Sequence, residues 1–333
     1  MVKKQKILVT GAAGFIGFHL IKKIQTGNLK YSIIGIDNLN NYYSKKLKLD
    51  RLKILKKNKN FIFKKIDLKN FKPLKKLFKT YKFDYVVHLA AQAGVRHSLK
   101  KPIDYVDNNL IAFFNVLESC KIFKIKHLLF ASTSSVYGES KKIPFRENQS
   151  TDNPIQFYAA TKKSNEIMAH SYSHIYNLPS SGLRFFTVYG PWGRPDMALY
   201  KFTENILLKK KIDLYNYGKH KRDFTFVEDV AYIIEKLIKR PPPKKNTPFR
   251  ILNVGKGSQT KLTDYLREIE KNLELKSKFN LLPLQAGDIY ETKSDISNLK
   301  KIIKIKKFTS IKMGIKLFID WYKNYHKIKL NEK

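Results

Sequence analysis

The sequence predicts an α/β fold: a doubly wound parallel sheet followed by a smaller, mixed C-terminal lobe. Three observations point there. Over the first 180 residues, short and near-continuous apolar runs alternate with longer amphipathic stretches, the pattern of strands buried on both faces and crossed by helices. A glycine-rich turn joins the first apolar run to the first amphipathic stretch. After Tyr189 the alternation becomes irregular, punctuated by Pro191, Pro195 and the run Pro241-Pro242-Pro243.

Taken in order, strands are expected at 6–10, 32–37, 61–65, 85–89, 127–131 and 181–186, each a short apolar run. Helices are expected between them at 14–23, 73–81, 108–123 and 159–176. The triple proline, followed by residues 244–247, reads as an exposed connector. No internal repeat is visible. Residues 1–182 are assigned to the sheet domain. Residues 183–333 mainly build the second lobe, which covers the mouth of the sheet, with the chain crossing between the two.

Composition narrows the class. With 333 residues, 43% of them hydrophobic and 13% aromatic, the chain can bury a sizeable core, so disorder is excluded. No apolar run approaches the ~18 residues of a membrane span. Met1 to Lys6 run straight into the first strand and leave no room for a signal peptide. Cys120 is the only cysteine, which excludes an internal disulfide and a zinc cluster, and no metal site is expected. The expectation is a reduced, soluble, cytoplasmic protein.

The charge is +39, from 66 Lys+Arg against 27 Asp+Glu. Such a field attracts polyanions, an affinity that would fall steeply with salt. Only nine of the 66 are Arg, the residue favoured for reading base edges, and the lysines are spread over 45–59, 64–82, 209–221 and 300–316. Lys, Asn, Ile, Phe and Tyr share A/T-rich codons, so the balance reads as compositional drift. No specific nucleic-acid or membrane partner is expected.

The turn Thr10-Gly11-Ala12-Ala13-Gly14-Phe15-Ile16-Gly17 follows the first strand and opens the first helix, the context a dinucleotide fingerprint requires. Gly11 permits the tight turn, Gly14 the approach of a pyrophosphate, and Gly17 close helix–strand packing. The helix start, with Phe15 and Ile16, offers N–H groups to the phosphates. The sheet is therefore expected to be Rossmann-type. Asp37, twenty residues past Gly17 and followed by Asn38, suits both adenosine ribose hydroxyls and repels a 2′-phosphate, so the cofactor is NAD rather than NADP. Asp67-Leu68 closes the third strand and could hold the adenine amino group.

Tyr158-Ala159-Ala160-Thr161-Lys162 places Tyr and Lys at i and i+4, on one helix face. A phenol with a pKa of about 10 is a poor base at neutral pH. A neighbouring ammonium lowers it, so the pair can take a proton from a sugar hydroxyl while hydride leaves to the cofactor. The hydroxyl-rich Ser132-Thr133-Ser134-Ser135 ends a buried strand upstream, at the active edge of such a sheet.

With these segments, His88-Leu89-Ala90-Ala91-Gln92-Ala93-Gly94-Val95-Arg96, Asp107-Asn108-Asn109, the run from Arg184 to Met197, Arg222-Asp223-Phe224-Thr225 and Leu284-Gln285-Ala286-Gly287-Asp288 complete a pattern. The chain resembles the extended short-chain dehydrogenase/reductases of the nucleotide-sugar epimerase group, and in detail the UDP-glucuronate 4-epimerases. The resemblance implies Tyr158 as base, Lys162 as its partner and Thr133 as the hydroxyl bridging to substrate O4. It implies Asn108 on the nicotinamide ribose side, with Leu89, Ala90, Ala91, Ser132 and Phe185 against the cofactor. Arg194 and Arg222 resemble residues that clamp the UDP diphosphate and ribose. Lys201 lies where a second basic contact could fall, and Gln285 and Asp288 belong to the substrate end. Arg96, Ser134, Ser135 and Thr187 are expected around the sugar carboxylate.

Three departures sort the branches. Decarboxylases of the group carry Glu where Ser135 stands, and the UDP-galactose branch has Asn for Thr187 and Arg for Gln285. These favour 4-epimerisation of UDP-glucuronate to UDP-galacturonate through a 4-keto sugar. UDP-glucose/galactose epimerisation and decarboxylation are the alternatives. A non-catalytic NAD-sensing regulator is another class, which the presence of both Tyr158 and Lys162 disfavours. The loop 38–41 lacks an Asp common in the family, and His97 replaces an aromatic residue and reads as a rim histidine. Cys120 reads as core, His220 as exposed. The family's paired helices suggest a homodimer through a four-helix bundle, with Phe113, Phe114, Leu117, Tyr172 and Ile175 as contacts or, alternatively, as core.

Overall fold

Each apolar run lies where its neighbours can hydrogen-bond it on both sides. The computed structural model describes residues 4–27, 31–285, 287–305 and 307–328; the first three residues of the N-terminal reading and Ala286 of the 284–288 motif lie outside them. Strands β1 (Gln5–Thr10), β2 (Tyr31–Asp37), β3 (Phe61–Lys65), β4 (Tyr85–His88), β5 (His127–Thr133) and β6 (Ser180–Phe185) match the expected runs to within two residues. A seventh strand, Phe249–Val254, returns from the C-terminal half to pair with β6. The order is Phe249–Val254, β6, β5, β4, β1, β2, β3, all parallel. Strand order reverses between β1 and β4, and the crevice outside the strands' carboxyl ends is where such sheets bind ligands.

Helices cover both faces. The helices before the catalytic segment are α1 (Phe15–Thr26), α2 (Lys45–Leu55), α3 (Phe71–Tyr81), α4 (Val95–Lys100), α5 (Ile103–Tyr105) and α6 (Ala112–Ile122), followed by α7 (Phe157–Tyr176). On one face α1 packs against Val227–Ile238, burying Phe18, Leu20, Ile21, Val230 and Ile234. On the other, α3, α6 and α7 cover Leu8, Ile34, Val86, Leu128 and Phe130. Each of these side chains removed from water contributes about 1.5–3 kcal/mol.

The structure corrects several expectations. The helix expected over 108–123 begins as a π-helical turn, Val106–Ile111, because Asn109 turns inward. Asn109 accepts the Gln92 N–H and donates to the Gln92 carbonyl and to Thr161. Wide turns of this kind recur at functional sites. Helix α2 was not expected, since its buried Leu47, Leu52 and Leu55 are interleaved with lysines. Phe113 and Leu117 are fully buried core, while Phe114 and Ile175 are exposed. Cys120 is buried. Within the proline connector, Pro242 is buried between exposed neighbours. Among the described residues, no helix is long and apolar enough to cross a membrane.

The second lobe is built from three two-stranded ribbons. Thr187–Tyr189 pairs with Phe224–Phe226 in parallel, Lys211–Leu214 with Lys278–Leu281 in parallel, and Lys221–Arg222 with Thr260–Lys261 antiparallel. Its core is aromatic: Phe224 stacks on Tyr265 at 4.1 Å, with Tyr189 edge-on. Helices Leu262–Leu273 and Ile311–His326 close it.

Candidate active site

A cleft of about 380 Å³ opens at the carboxyl ends of the strands. At the end of β1 the Thr10 hydroxyl accepts the N–H groups of Leu89 and Ala90 at 3.2 and 3.1 Å and donates to His88 Nδ1 at 2.9 Å. Burial drives His88 down to about 3, so it is the neutral acceptor this bond needs. The bond draws β4 against the glycine turn. A Cβ on Gly11, whose φ is +68°, would sit 2.8 Å from the Ala90 nitrogen, and one on Gly17 would overlap the Gly11 carbonyl. Gly14 caps α1 with no side-chain bond, leaving the first N–H groups of the helix open to the cleft. Asp37 accepts from Ala13 N at 3.2 Å and Leu39 N at 2.8 Å, and faces the same space. Open helix N–H groups beside a carboxylate fit the phosphates and ribose hydroxyls of a dinucleotide. Asn38 donates to Asp67 at 3.4 Å, and Leu68, Leu89, Ala90, Ala91 and Asn108 continue the wall.

The other end is the acid–base end. Tyr158 and Lys162 face the cleft from α7, with Ser132, Thr133, Ser134, Ser135, Phe185 and Thr187 around them. Lys162 is buried and donates from Nζ to the Ala131 carbonyl at 2.9 Å. Burial lowers it to about 8 against the favourable charge of Glu166. Burial pushes the Tyr158 phenol above its ordinary value, opposed by a hydrogen bond with Thr133 and by the Arg194 charge. Glu166 in turn takes a fork from Arg184 at 2.9 and 2.8 Å and the Ser132 hydroxyl at 2.6 Å. Arg194 lines the cleft with its guanidinium forked on Asp196 at 2.9 and 2.7 Å.

The remaining expected residues gather elsewhere. Arg222 approaches Asp288 at 3.3 Å, and His220 reaches the same carboxylate at 3.3 Å. Burial alone would raise Asp288; the His220 bond and the charges of His220, Arg222 and Arg96 instead hold it below the usual carboxylate range. Arg96 stacks on Tyr215 at 4.6 Å. Thus His220, expected on the surface, is 5% exposed: its ring is held between Asp288 and the Tyr290 carbonyl. Gln285 is half-buried and Lys201 exposed; neither lines the cleft. The sequence reading missed Asn40, Tyr42, Tyr43 and Lys48, which do. The aromatic pair just past the ribose carboxylate was the available signal. Among the described residues, no group of three or more His, Cys, Asp or Glu could hold a metal ion.

A doubly wound sheet with an open glycine turn and a Tyr–Lys pair facing one cleft defines a dinucleotide-dependent enzyme of the short-chain dehydrogenase/reductase class. Residues 7–255 match the NAD dependent epimerase/dehydratase family, and the chain belongs to it. The protein CapI of Staphylococcus aureus is 46% identical over 97% of this chain and 99% of its own length. A probable UDP-glucuronate 4-epimerase of Rhizobium meliloti is 40% identical, covering 97% and 98%. The crystal structure of the UDP-glucuronic acid 4-epimerase of Bacillus cereus, in complex with UDP-glucuronic acid and NAD, superposes with a TM-score of 0.89 at 34% identity, covering 96% of this chain and all of that one. The chain is an NAD-dependent nucleotide-sugar epimerase.

Proposed function

We propose that the enzyme interconverts UDP-glucuronate and UDP-galacturonate through a transient 4-keto sugar. One observation supports this above the rest: the hydroxyls of Thr133, Ser134, Ser135 and Thr187 share the cleft with Tyr158 and Arg194, and Asp37 and Asp67, on the cofactor side, are the only carboxylates among the described lining residues. Among the described lining residues around Tyr158 no carboxylate opposes a uronate group, and Asp196, just outside them, is engaged by Arg194.

Bound NAD supplies a reversible hydride acceptor for sugar C4. The protein's own part is proton handling and orientation. Tyr158 takes the O4 proton and gives it back, Thr133 hydrogen-bonds the phenol, and the Lys162 ammonium, one helical turn on, has the sign that favours phenolate. Arg194, in the cleft and forked on Asp196, keeps its expected place among the groups that clamp the UDP moiety. Arg222, out of the cleft beside Asp288, keeps the UDP-clamping role. The expected result of an NMR time course with UDP-glucuronate is UDP-galacturonate; UDP-xylose or a 4-keto pentose would overturn the assignment in favour of decarboxylation, and turnover of UDP-glucose alone would move it to the galactose branch.

We also assign a second copy of the chain to the face formed by α6 and α7, where Phe114, Ile167 and Ile175 are 47%, 59% and 62% exposed. Light scattering should give twice the chain mass, and Phe114→Glu should halve it.

A further inference from the structure

Two residues before the cleft arginine Arg194, the backbone of Trp192 takes a left-handed conformation, with φ at +60°. That region crowds a side-chain Cβ and favours glycine. Lys82, Asn177, Glu274 and Lys327 also adopt it, but each caps a helix, where it is common. Trp192 lies instead in the loop between the strand Thr187–Tyr189 and the helix Ala198–Leu207. A bulky residue keeps such a conformation only where its surroundings hold it, and such residues cluster at ligand sites.

The contacts that hold it come from three helices. Buried His19 on α1 reaches the Pro191 carbonyl through Nε2 at 2.9 Å; a carbonyl only accepts, so Nε2 carries the proton. Buried Arg51 on α2 donates to the next carbonyl, that of Trp192, at 2.6 Å. Its other terminal nitrogen is anchored on the Ala13 carbonyl and the Tyr43 hydroxyl, at 2.7 and 2.8 Å. The indole packs on Phe18 of α1 at 5.4 Å, and on Trp321 and Tyr325 of the helix Ile311–His326 at 5.3 and 5.1 Å. Tyr325 is itself tied to α2, donating to Asp50 at 2.6 Å. Two consecutive carbonyls and one ring are thus fixed just ahead of Arg194. Trp192 and the side chains that hold it lie outside the cleft lining, whereas Arg194 lies in it.

We propose that Trp192 is a positioning residue: its left-handed backbone, held by His19, Arg51 and the C-terminal helix, aims Arg194 into the cleft and so sets affinity for the UDP moiety. The inference rests on the UDP-clamping reading of Arg194. It is tested by calorimetry of UDP on the NAD-loaded enzyme. Arg194→Ala should weaken UDP at least tenfold. Trp192→Ala loses the ring that holds the turn but keeps the Cβ that opposes it, and should weaken UDP at least fivefold. Trp192→Gly loses the same ring and relieves the Cβ, and should stay within twofold of the parent. In an Arg194→Ala background, Trp192→Ala should cost no further affinity. NAD affinity should stay within twofold throughout. Equal losses in Trp192→Ala and Trp192→Gly, a further loss in the Arg194→Ala background, or a parallel fall for NAD would each overturn the proposal. If Arg194→Ala leaves UDP unchanged, the clamp reading fails and this inference with it; if only Trp192→Ala leaves it unchanged, this inference alone fails. Should Trp192→Ala not fold, His19→Leu and His19→Gln decide. Leu has no donor for Pro191 and should weaken UDP at least fivefold, Gln restores one and should stay within threefold of the parent, and equal affinities overturn the proposal.

Discussion

At the catalytic end of the cleft Lys162 and Arg184 are buried beside Glu166, whereas at the adenosine end Lys48 and Arg51 are buried among neutral oxygens. At the first site one carboxylate is in direct contact with Arg184 and its charge also favours that of Lys162. Its charges are in place before any ligand arrives, and Lys162 is free to serve Tyr158. At the second site Asp37 reaches Lys48 only through its charge, and Arg51 is held by neutral oxygens alone. The two ends of the cleft therefore differ in whether a carboxylate touches the buried cations directly.

The comparison can be broken most directly at Lys162. Lys162→Met should lower turnover by about 10²–10⁴-fold, the usual range for disabling general acid–base catalysis. Its melting temperature should stay near the parent's, because Glu166 keeps Arg184 as partner; a collapse in stability would show that the Glu166–Arg184 pair depends on Lys162. Glu166→Gln tests the same site from the other side. Arg184 is then buried without its anion, at a cost of about 3–5 kcal/mol in denaturant titration. The variant should also shift the alkaline fall in activity to lower pH. Lys162 is charged below about 8 with Glu166 favouring the charge, so without Glu166 the ammonium is lost sooner.

Asp37→Ser probes the adenosine end. Losing a charged acceptor should weaken NAD by about 1.5–3 kcal/mol in calorimetry and improve NADP relative to it. A further comparison comes from one buried histidine at each end. His19, near Arg51, and His88, near Lys162, are both held neutral, each lowered by burial from 6.5 to about 3. An unfolded histidine takes up its proton below 6.5 and the folded one does not. Stability is thus complete above pH 6.5 and is lost as pH falls toward 3, by up to about 1.4 kcal/mol per unit for each. Replacing either by Asn should flatten the stability–pH curve between pH 6 and 4 by that slope; an unchanged slope would mean that histidine is not held neutral.

Much of this was legible in the chain. Apolar runs bounded by polar residues placed six strands, and Gly11, Gly14 and Gly17 with Asp37 marked the cofactor side because each role there depends on backbone shape or one carboxylate at a fixed offset. Tyr158 and Lys162 were legible because four residues make one helical turn. What escaped depends on distant partners. His220 looked exposed until the segment around Tyr290 and Asp288 folded over it. Phe113 and Phe114 are equivalent as letters, yet one is core and the other surface. Arg194 and Arg222 looked like one clamp, and the fold sends them to different carboxylates.

By itself, then, the sequence determined the sheet, the dinucleotide turn and the Tyr–Lys pair, since periodicity, glycine and helical spacing act over a few residues. Tertiary structure alone decided which charges are balanced. Lys48 and Arg51 read as two more lysine-face cations in a chain of +39, and only the packing of α2 against the glycine turn, the 38–43 strap and Trp192 removes water from them. Desolvation is a property of everything that surrounds a group, and no local pattern in the chain encodes it.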